Sequence, residues 1–270
     1  MFSLDTADAH LAYRDTGAGQ PVVLLHGGFL DHRMWDDQVP ALASHCRVIA
    51  PDARGHGGSS NANAPFRHTD DVAALLRHLD VGPAILVGLS MGGAIAVDTA
   101  LEHPDLVGAL VVSGVGTSEP EFQDPWLKEI EAEEARALAA GDAEGWVEAF
   151  TRLGAGPHRT LDDVNQDVVR RLREMTRRTL AKHTATEPVH IIPVTDTWQR
   201  AATITVPVLA INGAIDSDDH ITMAERLAHT VTNGQVTTIE ATAHYPNMER
   251  PDTFNEILGN FLRTVSARND

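Results

Sequence analysis

The stretch of this chain best equipped for chemistry is Gly88-Leu89-Ser90-Met91-Gly92-Gly93. The apolar run Ala84-Ile85-Leu86-Val87 leads into it and a helix-forming stretch from Ala94 to Leu101 follows. A strand, a sharp turn and a helix in that order would present the serine hydroxyl at the end of a sheet. Small residues two before and two after the serine let the backbone turn that tightly. A serine hydroxyl is a weak nucleophile at neutral pH, so an imidazole must take its proton as it attacks a carbonyl carbon. Of the 14 histidines, His244 stands just past the last strand-like run and ahead of the final helical stretch. Three carboxylates, Asp216, Asp218 and Asp219, follow the preceding strand-like run, and one of them would hold that imidazole in the right tautomer. Asp218 and Asp219 fall where the next helix would begin, a favourable place for acidic caps. A metal site built from these aspartates and His220 is not expected, because no second ligand cluster accompanies them.

Positioning such groups takes a rigid frame, and the pattern of the chain supplies one. Short β-rich apolar runs near 21–26, 46–51, 83–89, 106–112, 207–212 and 235–240 alternate with amphipathic stretches near 35–44, 66–79, 91–102, 219–229 and 251–265. That alternation predicts βα units building a doubly wound, mostly parallel sheet. Residues 2–4 and 11–13 predict a hairpin that extends one edge antiparallel. The alternation breaks between 117 and 205, where apolar residues recur at helical spacing over 129–140, 143–153 and 161–183, with only a short apolar run at 189–194. The expected organisation is therefore an α/β core from 1–116 and 206–270 with an inserted helical cap at 117–205.

Four further stretches complete a resemblance. They are Tyr13-Arg14-Asp15-Thr16-Gly17 with Val22-Val23-Leu24-Leu25-His26-Gly27-Gly28, Asp52-Ala53-Arg54-Gly55-His56-Gly57, Val208-Leu209-Ala210-Ile211-Asn212-Gly213-Ala214-Ile215-Asp216, and His244-Tyr245-Pro246 with Glu249-Arg250-Pro251. In order and spacing, over nearly the whole chain, the sequence resembles the α/β-hydrolases, and within them the branch of enol-lactonase-like and haloperoxidase-like esterases. The resemblance implies a Ser90 nucleophile, a His244 base and, from the Gly-x-x-Asp spacing, Asp216 as the acid. It implies an oxyanion hole from the N–H groups of Met91 and Gly28, with Phe29 as the alternative to Gly28. The sequence departs from the family at Thr242 and Ala243, where glycines usually stand, and at His220, where a proline is usual. The Asp52–Gly57 stretch reads as a structural turn bracing its neighbours.

Composition narrows the partners. The formal charge of -17, from 38 acidic against 21 basic residues, repels phosphate backbones and anionic lipid surfaces, so neither nucleic acid nor membrane is an expected partner. Residues 1–10 hold neither a basic stretch nor an apolar run, so no secretory signal is expected and the cytoplasm is the expected location. Cys46 is the single cysteine and sits in an apolar run, as core filler does. There is no phosphate-cradling glycine loop, so no cofactor is expected. The reading is a serine hydrolase of an ester, lactone or related acyl bond in a small molecule, acting through an acyl-Ser90 intermediate. A C–C bond hydrolase, an acyltransferase or a ligand-binding receptor would share the same residues. Within 161–183, Leu161, Val164, Val168, Leu172 and Met175 predict one apolar helical face. Arg171 and Arg178 on its border are candidate substrate-binding residues for an anionic group.

Overall fold

The computed structural model describes residues 1–184 and 186–267. Its centre is an eight-stranded sheet in the order β1-β2-β4-β3-β5-β6-β7-β8. The strands are β1 Phe2–Asp5, β2 His10–Gly17, β3 Gln20–Leu25, β4 Cys46–Pro51, β5 Ala84–Leu89, β6 Val107–Ser113, β7 Val208–Gly213 and β8 Gly234–Ile239. From β4 onward the neighbours run parallel, while β1 and β2 are antiparallel, as the hairpin pattern predicts. The middle strands, such as Ala84–Leu89 and Val208–Gly213, are buried at every position. That is why they read as unbroken apolar runs: both faces of the sheet are covered.

The cover consists of helices α1 His68–His78, α2 Met91–Glu102, α3 Pro125–Ala140, α4 Ala143–Thr151, α5 Gln166–Leu180, α6 Asp218–Thr230 and α7 Pro251–Ser266. One face packs Leu75 and Leu76 of α1, Ile95 and Val97 of α2 and Leu227 of α6. The other packs Trp35 with Phe254, Leu258 and Phe261 of α7. Each buried leucine or phenylalanine there removes enough apolar surface from water to be worth ~1.5–3 kcal/mol, which is what fixes the helices to the sheet.

The stretch between β6 and β7 forms helices and turns. The 189–194 run contributes a single bridge from Ile191 to Phe66. Trp146, Val147, Val168, Leu172 and Met175 from α4 and α5 join the same apolar cluster as Leu30 and Trp35, so these helices are packed onto the sheet domain rather than tethered to it. Two expected helices are broken. In place of 161–183 there is a 3-10 turn Leu161–Asp163, an extended Val164, and then α5, whose N-cap Asn165 accepts from the Asp167 N–H at 2.9 Å. In place of 35–44 there are the turn His32–Trp35 and the one-turn helix Val39–Leu42 with Pro40 near its start, where a residue without an N–H is tolerated. Among the described residues no helix is long and apolar enough to cross a membrane.

Candidate active site

Ser90 sits between β5 and α2 with φ 52° and ψ -120°, an unfavourable conformation for a non-glycine residue. The surroundings enforce it. A Cβ at Gly88 would lie 2.1 Å from the Gly92 carbonyl oxygen, and one at Gly92 would lie 2.1 Å from that of Leu25, so both glycines are required by close backbone approach. The Ser90 N–H donates to the Ser113 carbonyl at 2.8 Å, which ties the turn to the end of β6. The next residue, Gly114, has φ +63° and lies so close to His244 that a Cβ there would be 2.7 Å from Cε1. Adjacent residues at the end of β6 thus contact the two groups, Ser113 the Ser90 turn and Gly114 the His244 ring.

His244 is buried, and its Nδ1 lies 2.8 Å from Asp216 Oδ2. Of the three candidate aspartates, Asp216 is the one that reaches the imidazole. Asp218 is exposed, and Asp219 accepts from the Gln123 and Asp124 N–H groups at 2.6 and 2.7 Å, anchoring the start of α3. Burial would raise the Asp216 carboxyl, but the charges and hydrogen bonds of His220 and His244 outweigh it and hold it well below the usual carboxylate range. Burial pushes the His244 imidazole below its ordinary value against the pull of Asp216. An ionised carboxylate facing Nδ1 keeps the proton there and leaves the Nε2 lone pair free to accept one.

The loop that carries His244 manages without the family's glycines. Ala241 takes the positive φ, 57°, and the Ala243 N–H donates to Glu249 Oε1 at 2.7 Å. Thr242 accepts from the Ile215 N–H at 3.0 Å, and a Cβ at Gly213 would meet the Ala243 carbonyl oxygen at 2.1 Å, so the two loops interlock backbone to backbone. His220 fills the place of the usual proline. Its Nδ1 lies 3.0 Å from Asp216 Oδ1 and its ring stacks on His244 with centroids 4.1 Å apart. Asp216, His220 and His244 bring their ligand atoms within 4.8 Å of one another. Both imidazoles turn Nδ1 onto the Asp216 carboxylate.

The expected turn at Asp52–Gly57 does brace its neighbours, and it does more. Asp52 accepts from the His32 N–H at 2.8 Å and the Gly58 N–H at 2.7 Å. His56 Nε2 accepts from the Phe29 N–H at 3.1 Å while its Nδ1 lies 3.1 Å from the Arg54 carbonyl. Burial holds His56 well below the ordinary histidine value, which keeps Nε2 an acceptor. With the Phe29 N–H engaged, Gly28 is the better placed of the two candidates for an oxyanion donor, and a Cβ on it would lie 3.9 Å from Met91 Cβ.

Gly28, Phe29 and Met91 line a cavity of about 900 Å³ that continues under the helices between β6 and β7. Trp146, 4.4 Å from Phe29 ring to ring, and Leu180 make much of its wall apolar, the half-exposed Leu138 and Ile191 also border it, and His56, Asp142, His183 and Thr184 add polar groups. The two candidate arginines lie elsewhere. Arg171 donates to Asp37 at 2.7 Å and to the Arg33 carbonyl at 3.1 Å, pinning α5 to the sheet domain, and Arg178 is solvent-exposed. The arginine that borders the cavity is Arg177, held in a forked pair by Glu144 at 2.7–2.9 Å.

A strained serine at the end of the central parallel strand β5, with a buried carboxylate after β7 and a buried imidazole after β8, is the arrangement of the α/β-hydrolase architecture. Comparison with known proteins agrees. Residues 20–251 match the family model for the alpha/beta hydrolase fold, and the chain belongs to that family. It is 28% identical to a 3-oxoadipate enol-lactonase of Acinetobacter baylyi, covering 87% of this chain and 85% of that one. It is 30% identical to a pimeloyl-(acyl-carrier protein) methyl ester esterase of Vibrio cholerae, covering 93% and 97%. Among solved structures it is similar to a hydrolase from Pseudomonas aeruginosa, with 32% identity, TM-score 0.78 and 97% of each chain covered.

Proposed function

We propose that the chain is a serine hydrolase that cleaves an ester or lactone of a small, apolar molecule, with Ser90 as nucleophile, His244 as base and Asp216 as the acid that orients it. The observation that carries this reading is the buried Asp216–His244 pair, joined through Nδ1 beside the strained Ser90 turn. In the first half-reaction Ser90 Oγ bonds to the substrate carbonyl carbon as its proton passes to His244 Nε2. The N–H groups of Met91 and Gly28 receive the oxyanion. Collapse breaks the bond to the leaving oxygen, which takes the proton from His244. Water then adds to the acyl carbon, giving its proton to His244, and the acid leaves as Ser90 regains its hydrogen.

The substrate class follows from the cavity. Trp146, Phe29 and Leu180 offer apolar surface, and Arg177 already has its carboxylate partner in Glu144. The helices of 117–205 act as a cap over this cavity, and the cytoplasm, where Cys46 stays a buried thiol, suits the enzyme. A panel of matched esters and lactones tests the reading. Multiple turnovers are expected, with kcat/KM highest for neutral apolar acyl groups. Product limited to one equivalent per chain, or a preference for carboxylate-bearing substrates, would overturn it.

A further inference from the structure

In the mechanism proposed above, one oxygen of Asp216 is engaged by His244. The other has two partners of its own. Oδ1 accepts from the Ser217 N–H at 2.8 Å and lies 3.0 Å from His220 Nδ1. The His220 ring stacks on that of His244 at an interplanar angle of 29°, and on another side meets the edge of Phe122 at 5.9 Å. His220 is buried, so it stays in place as a wall of the site rather than as a mobile surface group. The carboxylate lies between two imidazoles that both present Nδ1.

We infer that His220 is a positioning residue for the hydrolytic reaction: its Nδ1–H fixes the rotation of the Asp216 carboxylate, and its ring fixes the plane of His244. A carboxylate held on Oδ1 by two donors cannot rotate without breaking both. Oδ2 is therefore delivered to His244 at a set angle, and Nε2 is aimed before substrate arrives. Stacking restrains the one motion the Asp216 bond leaves open, rotation of the imidazole about that bond. The usual proline at this position has neither a side-chain donor nor an aromatic ring. The groups facing His220 are Asp216 and His244. Asp219 of its own helix is turned onto the Gln123 and Asp124 amides, and Glu121 of the facing segment is paired with Arg226.

The inference rests on the proposed serine mechanism, and the test separates the two. Wild type, His220→Ala, His220→Phe and His220→Asn are compared on one activated ester, with kcat, KM, the pH profile and Tm measured. Each protein is also treated with an alkyl phosphonate and its adduct located by mass spectrometry. Loss of one hydrogen bond to a charged group predicts a fall in kcat of about tenfold or more for His220→Ala with KM within about twofold. His220→Asn keeps a donor near Nδ1 and recovers most of the rate. His220→Phe keeps only the stack and recovers less. The acid limb of kcat/KM moves up by about half a pH unit in His220→Ala, because the carboxylate charge is then concentrated on His244. A role in folding alone would lower Tm and leave kcat and the limb unchanged, and that result overturns the inference while the phosphonate still labels Ser90. If Ser90 of the wild type is not labelled, the serine mechanism itself fails.

Discussion

Replacing Asp216 with asparagine is the perturbation whose size the structure defines best. Oδ2 sits 2.8 Å from His244 Nδ1, and Oδ1 already receives the Ser217 N–H and faces His220 Nδ1. An amide cannot accept at both ends. The oxygen will stay where two donors converge, which turns the new NH2 toward His244. A donor facing Nδ1 drives the ring proton to Nε2, the tautomer that cannot take a proton from Ser90. The imidazolium formed in the transition state also loses the buried negative charge of Asp216 beside it. In a triad of this geometry such a change lowers kcat by about 10³- to 10⁴-fold, or about 4–5.5 kcal/mol of barrier. Asp218→Asn, at an exposed position, is expected within about twofold of wild type. The assay is steady-state hydrolysis of one activated ester by both variants, with near-UV circular dichroism confirming the fold. A loss below about tenfold at Asp216, or an equal loss at Asp218, would refute the placement of the acid.

The proposed mechanism requires neutral His244, whose pKa burial lowers; the acid limb of kcat/KM is therefore expected below the ordinary histidine value of about 6.5, with a plateau above it, and a limb above that value would contradict the burial argument. Burial lowers His26, His56, His68 and His244 but raises Glu134 to about 7 and Asp98 to about 6; below about 6.5 the imidazoles make the unfolded chain bind more protons and the two carboxyls make it bind fewer, so Glu134→Gln should steepen the fall of Tm as pH drops from 7 to 5, and an unchanged Tm–pH curve in that variant would count against it. Arg171→Ala removes the tie to Asp37 and the Arg33 carbonyl and is expected to cost about 1 kcal/mol or less, since the pair is partly exposed. It should change KM for neutral and carboxylate esters alike, and a selective rise with the carboxylate ester would restore Arg171 as a substrate ligand. Gly114→Ala sets a Cβ 2.7 Å from His244 Cε1 at a positive φ, so kcat should drop at least tenfold where unfolding shifts by only about 1–3 kcal/mol; unchanged kcat would show that the imidazole is not held there.

The strands and the serine turn were legible because each depends on local sequence. Ala84–Leu89 is apolar at nearly every position since both its faces are covered, and Gly88 and Gly92 stand where backbones touch. Asp216 was legible through its spacing from Gly213, which the interlocked Ala243 loop requires. What escaped depends on distant partners. His220 reads as a residue in the first turn of a helix, and only the approach of the loop after β8 sets it on His244. His56 reads as part of a brace, and nothing local shows that its Nε2 is aimed at the Phe29 N–H. On α5 the apolar face was found, but the cavity borders Arg177 rather than Arg171 or Arg178. The facing helix α4 decides that, and with it the pairing of Arg177 with Glu144. The α5 helix itself was expected to start at 161 because Val164 continues its apolar spacing, yet Val164 is extended and Asn165 makes a stronger start.

The central claim is that Ser90 Oγ carries the acyl group. Rapid acid quenching during turnover of a slowly deacylated ester, followed by peptide mass spectrometry, reads this directly. The account predicts one acyl group per chain on Ser90, absent in Ser90→Ala, whose turnover is lost while its fold is kept. Turnover retained by Ser90→Ala, or an acyl group found on another residue, would contradict it.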